Sequence, residues 1–351
     1  MLKTTLLLPT LALAFAGVEL TTDYTRDRSL TVSVTSKNAS EVTAMEMTID
    51  GEPVERGGFG GGGGVASERS YTFTDTVLAA QDGAPKKVKR AFGAVGGTAT
   101  MPGRDGGSNE MEVESAFADA VIVIDHSGAE AKFEVLEGDV PDEALAGLVP
   151  TLALDRLLPS GAVEAGASWE LEGADVLAAL GHELERSLFR RPAPEGGAGE
   201  GRGERGGRRG APGGGRMGGG GLAMLEGGEW DAKAKLTDET ETVDGVECAV
   251  IEVKAEVSGE LPEMGGGGGR GRDRAFGLAG APRANTFEAE LEGRLLWSVK
   301  EARPVRFELT GTVTTVRDME RETQRGVMKS HTEQETRIEL TVAVTAGAKA
   351  D

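Results

Sequence analysis

Thr286-Phe287-Glu288-Ala289-Glu290-Leu291-Glu292-Gly293-Arg294-Leu295-Leu296-Trp297-Ser298-Val299 decides the fold class. Phe287, Ala289, Leu291, Leu295, Trp297 and Val299 fall on one side of an extended chain, with Glu288, Glu290, Glu292, Arg294 and Ser298 on the other. Side chains alternate across a strand with period two, so this is a strand with one apolar and one solvated face. After the short connection Lys300–Pro304, Val305, Phe307, Leu309 and Val313 repeat the pattern. The two segments read as a long antiparallel hairpin with Trp297 and Phe307 in its core.

Working outward, Trp230, Ala232, Ala234 and Leu236 form another strand, and Asp244-Gly245 suits a tight hairpin turn with positive φ. The following strand, Val246–Val257, changes phase between Val250 and Ile251, which predicts a bulge. Leu30, Val32 and Val34 near the start, and Ile338, Leu340, Val342 and Val344 near the end, alternate in the same way. Val121-Ile122-Val123-Ile124 is apolar throughout and reads as buried on both faces. Helical signals lie near 141–158, where Asp139 caps a segment with Pro141, Asp142 and Glu143 in its first turn, and at Ala174–Phe189, where Leu177, Leu180, Leu184 and Leu188 form one stripe. The expected fold is α+β and mostly antiparallel: a long curved sheet or half-barrel with one or two helices packed on it.

Gly57–Gly64, Glu195–Gly221 and Gly265–Arg274 hold too few apolar side chains to offset the entropy of ordering, and read as flexible connections. The expected division is a signal peptide at 1–16, a β-rich part at 17–194, a Gly/Arg-rich linker at 195–221, and a C-terminal β part at 222–351 completing the same sheet. Arg202-Gly203, Arg205-Gly206-Gly207 and Arg209-Gly210 look like the RGG segments of RNA-binding proteins, but export favours a plain linker, or contact with an extracytoplasmic polyanion or the protein's own acidic face.

Export itself is read from Met1-Leu2-Lys3, the apolar run Leu6–Phe15 and the Ala14-Phe15-Ala16 cleavage site, which together predict a mature start near Gly17 and a periplasmic or extracellular location. Cys248 is the only cysteine, so there is no lipobox thiol and no internal disulfide. With 58 acidic against 38 basic residues the net charge is −20, which repels nucleic acid and anionic lipid surfaces. No later segment has the roughly 18 apolar residues of a membrane helix, so the mature chain is not expected to span a membrane. An outer-membrane barrel also combines strands with a signal peptide, but two tyrosines cannot build aromatic girdles.

Leu158-Pro159-Ser160-Gly161-Ala162-Val163-Glu164-Ala165-Gly166-Ala167-Ser168-Trp169, followed by the hairpin through Leu291-Glu292-Gly293 and Leu309-Thr310-Gly311, resembles uncharacterised exported bacterial families. These are similar in turn to the lipoprotein-carrier superfamily. The resemblance spans about half of the chain and implies an unclosed antiparallel barrel with helices in its mouth. It implies no catalytic or ligand residues, because that superfamily has no fixed polar site, and the glycine tracts depart from its pattern.

Asp125-His126-Ser127-Gly128 contains the residue types of a hydrolytic triad, but neighbours on a strand point to opposite faces, so a polar strand end with a turn is the expectation. His182 is expected to face solvent, opposite the leucine stripe, and His331 lies near the start of the last strand. Three scattered histidines give no zinc spacing. Glu110, Glu112 and Glu114, like Glu288, Glu290 and Glu292, stack on one face and could hold calcium, although a solvated face paired with Arg294 and Arg306 fits better. Cys248 reads as a buried, inert thiol.

No catalytic residue, metal or cofactor is therefore expected. The leading expectation is an exported, non-enzymatic protein that binds a lipid, another hydrophobic ligand or an envelope component in the concave face of its sheet, on the faces carrying Trp230, Leu291 and Leu309. The alternatives are a structural or interaction protein of the cell envelope without a small-molecule site, and a hydrolase with a dispersed site.

Overall fold

The computed structural model describes residues 17–54, 64–81, 83–103, 107–128, 130–189, 221–261, 282–323 and 326–347. Met1–Ala16 and most of the glycine tracts lie outside them. The strands are β1 (Ser29–Ile49), β2 (Glu52–Pro53), β3 (Val65–Gln81), β4 (Ala84–Pro102), β5 (Ser108–Glu114), β6 (Val121–Asp125), β7 (Lys132–Glu137), β8 (Ser168–Leu171), β9 (Glu229–Val243), β10 (Val246–Glu260), β11 (Pro282–Ser298), β12 (Arg303–Thr323) and β13 (Gly326–Ala346). They form one antiparallel sheet in the order β7-β6-β4-β3-β1-β13-β12-β11-β10-β9-β8, with β2 beside β1 and β5 beside β4. The edges β7 and β8 do not meet, so the sheet is open. First and last strands join it in the middle, β1 running against β13 from Leu30↔Ala346 to Ile49↔Met328.

The hairpin read from Thr286–Val299 is β11 against β12, and Trp297 and Phe307 are both fully buried. Val299 departs from the expectation: it is exposed, because it lies one residue beyond the strand end. Asp244 and Gly245 have φ of 51° and 82°, the two positive angles a tight hairpin turn requires. The phase change at Val250–Ile251 is a register shift between Ala249 and Ile251, and it puts consecutive residues Val250 and Ile251 into separate clusters on opposite faces. Ile122, Val123 and Ile124 are buried in succession.

The inner face of the sheet carries the main core, and the helical segments α1 (Asp142–Leu145), α2 (Gly173–Ala179) and α3 (His182–Leu188) pack against it. The single helix expected over Ala174–Phe189 is two helices, because Gly181 takes a left-handed φ of 67° that ends one and starts the next. Leu180, Leu184 and Leu188 still reach the core, but the break turns His182 inward, so it is buried and not solvent-facing as its helical phase suggested. Near 141–158 the helix is only α1, beginning after Pro141, and a single 3-10 turn at Leu154–Leu157. Pro150 between them cannot donate to a continuing helix.

Two buried ion pairs lie within this core. Arg90 on β4 is bidentate on Asp75 of β3, and Arg69 on β3 reaches Glu185 of α3 at 2.6 Å. Each guanidinium also covers an aromatic ring, Arg90 over Phe73 and Arg69 over Phe189.

Candidate functional site

The polar clusters singled out in the sequence are occupied by structural contacts. Asp125 accepts the Ser127 backbone N–H at 2.9 Å and pairs with Lys87 at 3.2 Å, which holds its carboxyl down to about 2. The carboxylate shapes a turn and does not orient His126, whose ring lies edge-on to Phe133. His182, Glu183 and Glu226 come together, and Arg186 lies 3.8 Å from Glu183 and 4.0 Å from Glu226, offsetting part of their charge. Burial pushes the Cys248 thiol up, as an inert thiol requires. Glu110, Glu112, Glu288, Glu290 and Glu292 are exposed on the outer face, where Glu292 pairs with Lys254 at 3.0 Å, Arg294 with Glu241 and Arg306 with Glu308.

His331 is on the outer face of β13, its Nδ1 2.6 Å from Asp318 and its Nε2 3.2 Å from Glu333. These two carboxylates raise its pKa above the ordinary value for histidine. Glu46, Thr48, Met319, Glu320, Lys329 and Ser330 complete an open hollow of about 280 Å³ around it. A smaller cavity of about 50 Å³ lies within the core beside Tyr24, Asp75, Asp155 and the left-handed Ala153, with room for a few waters.

Of the three apolar residues expected to line a groove, Leu291 and Leu309 are in the closed core, each 2% exposed. Trp230 is half-buried against α2, where Gly173 leaves room for its ring. Uncovered apolar surface lies farther along the same face. Among the described residues eight large apolar side chains are exposed: Val42, Met45, Val65, Met111, Leu136, Val149, Val299 and Met319.

Strand register shows that five of them share the inner face. Val42 pairs with Gln334 and Met45 with Thr332 on β13, while Arg317 and Met319 on β12 pair with Thr332 and Ser330. Counting back by two from buried Ile338 places Thr336, Gln334, Thr332 and Ser330 on the inner face, and their partners with them. On the other flank, Met111 lies in one row with Ala99, Ser67, Asn38 and Ile338, and Val65 pairs with Ser40, which pairs with Thr336. Val42, Met45, Val65, Met111 and Met319 are thus the distal continuation of the surface that forms the core.

The cause is a mismatch of lengths. β1, β12 and β13 each have 21 residues, about 69 Å at roughly 3.3 Å per residue. α2 and α3 have 7 residues each, about 10 Å at 1.5 Å per residue. The alternation Met45-Glu46-Met47-Thr48-Ile49 was the available sequence signal for this surface.

No family model matches the chain, and no curated protein matches it. Among solved structures, the outer membrane protein OprG from Pseudomonas aeruginosa aligns at 6% identity and TM-score 0.20, covering 93% of this chain and 100% of its own. The secretin β-barrel domain of InvG from Salmonella aligns at 7% identity and TM-score 0.18, covering 92% and 64%, and an outer membrane channel from Pseudomonas putida at 8% and 0.16, covering 91% and 96%. Scores this low transfer neither the fold nor the function of those proteins to this chain.

Proposed function

We propose that this protein is a non-enzymatic, exported binder that takes an apolar ligand, or the apolar part of an envelope component, on the distal inner face of its sheet. The observation that carries this reading is the grouping of Val42, Met45, Val65, Met111 and Met319 on one face. Singly scattered exposed apolar residues are ordinary, whereas several on one face of one sheet favour a binding surface. Methionine suits the task, since its flexible, polarisable side chain adapts to differently shaped apolar partners.

The Met1–Ala16 leader supports a periplasmic or extracellular location. The outer face supports a water-exposed sheet over a lipid-embedded barrel: Glu256 and Glu290 lie directly opposite each other there, and a barrel of this kind presents apolar side chains to lipid.

Titration with the neutral fluorescent probe N-phenyl-1-naphthylamine tests the reading. The wild type should bind it saturably, and Met45→Glu with Met319→Glu should weaken binding at least tenfold while the melting temperature holds. An absence of binding by the wild type, together with no lipid carried by protein purified from its own host, would overturn it.

A further inference from the structure

Charge is sorted on the same surface. In a chain of net charge −20, the register puts a single carboxylate, Glu52 opposite Ile49 at the tip of the sheet, among the described inner-face positions of the distal strands: 40, 42, 45, 47 and 49 on β1, 52 on β2, 313, 315, 317 and 319 on β12, 328, 330, 332, 334 and 336 on β13, 65 and 67 on β3, 99 and 101 on β4, and 109 and 111 on β5. The acidic side chains Glu46, Asp318, Glu320, Glu333 and Glu335 project from the outer face of those strands. Arg317 is the single cation at these inner-face positions, it is half-buried, and it makes no ion pair among the described residues. Its register partners on that face are Asn285 on β11 and Thr332 on β13, with Met319 two positions along the strand and Met45 two strands away through Thr332, at about 7 Å and about 10 Å between backbones. Arg69, nearer the core on the same face, is engaged by Glu185.

Taking the apolar-binding reading as its basis, we infer that the ligand is a single-chain anionic amphiphile, a long-chain carboxylate, with its chain on the methionine and valine surface and its head group on Arg317. A half-buried guanidinium beside Asn285, Thr332 and Met319 offers a planar pair of N–H donors that matches a carboxylate, and partial exclusion of water strengthens the bond. An anionic bilayer is disfavoured as the partner, because the strands present their acidic outer faces and a net charge of −20 to it. A free amphiphile entering from the inner side meets Arg317, which no described carboxylate engages.

Calorimetric titration of the full chain with palmitate and with hexadecanol, the neutral analogue, tests this. Palmitate should bind roughly tenfold tighter at low salt, as a charge-assisted bond to one guanidinium allows. Arg317→Gln should remove that difference, with hexadecanol affinity kept. Arg317→Lys should retain part of the preference, which separates loss of the charge from loss of the fold. Equal affinities in the wild type, or a preference unchanged in Arg317→Gln, would overturn the assignment of the head group while leaving the apolar reading in place. Failure to bind either compound would overturn both. Capture of a hydrophobic peptide in place of both amphiphiles, or pelleting of the protein with anionic vesicles in place of palmitate binding, would overturn the inferred ligand class.

Discussion

Arg90 and Asp75 are locked together inside the sheet, Nε to Oδ1 and Nη2 to Oδ2 both at 2.7 Å, with the guanidinium 4.1 Å above the Phe73 ring and none of the Arg90 side chain exposed. The pair links β3 to β4. Removing either member strands the other as a buried charge, so Arg90→Met should cost about 3–5 kcal/mol in chemical denaturation. Arg90→Met with Asp75→Leu should recover most of that loss. A double variant no more stable than the single one would show that the pair is not the source of the cost.

Gly173 and Trp230 mark the contact between cover and sheet. A Cβ at position 173 would sit 2.5 Å from Trp230 Cδ1, so Gly173→Ala forces the indole aside. Overpacking of this kind costs about 1–3 kcal/mol. Differential scanning calorimetry should show the lower melting temperature, and a shifted tryptophan emission should accompany it. An unchanged spectrum and melting point would mean that α2 does not rest on Trp230.

His331 gives stability a dependence on pH. Its folded pKa is raised by hydrogen bonds to Asp318 and Glu333, so the protonated ring favours the folded state. That contribution is fully present below the unfolded pKa of about 6.5 and is lost as pH rises through the raised folded value. The wild type should therefore melt higher than His331→Gln near pH 6, with the gap closing by about pH 9. A gap independent of pH would place the effect in packing.

Asp125 acts at the acidic end with the opposite sign. Its carboxyl is held down to about 2, so the stability it contributes is present above the unfolded pKa of about 3.9 and is lost as pH falls toward 2. In acid titration followed by circular dichroism, Asp125→Asn should flatten the unfolding curve across that window. Curves that superimpose would remove the Ser127 turn from the account.

Chain length gives an independent check on the apolar surface. Each methylene buried contributes about 0.8 kcal/mol, so affinity should rise about fourfold per added CH2 across a series of saturated chains until the surface is filled. Affinity flat with chain length would mean that the chain is not buried on the methionine face.

Phe287 to Trp297 and Phe307 to Val313 were legible as a half-buried hairpin because alternation in a strand is local: each residue's side is set by its neighbour, whatever the rest of the chain does. The turn at Asp244-Gly245 and the bulge at Val250–Ile251 were legible for the same reason, since both are written in consecutive residues. The burial of His182 was not. It depends on Gly181 taking a left-handed φ, and glycine tolerates that conformation without announcing it. The candidate site was hidden for a third reason. Met319 keeps the phase of Phe307, Leu309 and Val313, but Met45 is out of phase with Val32 and Val34, and a register shift between Val42 and Ala44 puts it on the inner face. Their exposure, at 52% and 53%, follows from where the covering helices stop, and their meeting follows from β13 lying between β1 and β12. Periodicity thus determined sides within each unbroken stretch, because alternation is local, while register shifts, pairing between distant strands and the reach of the cover decided which apolar residues became core and which remained surface.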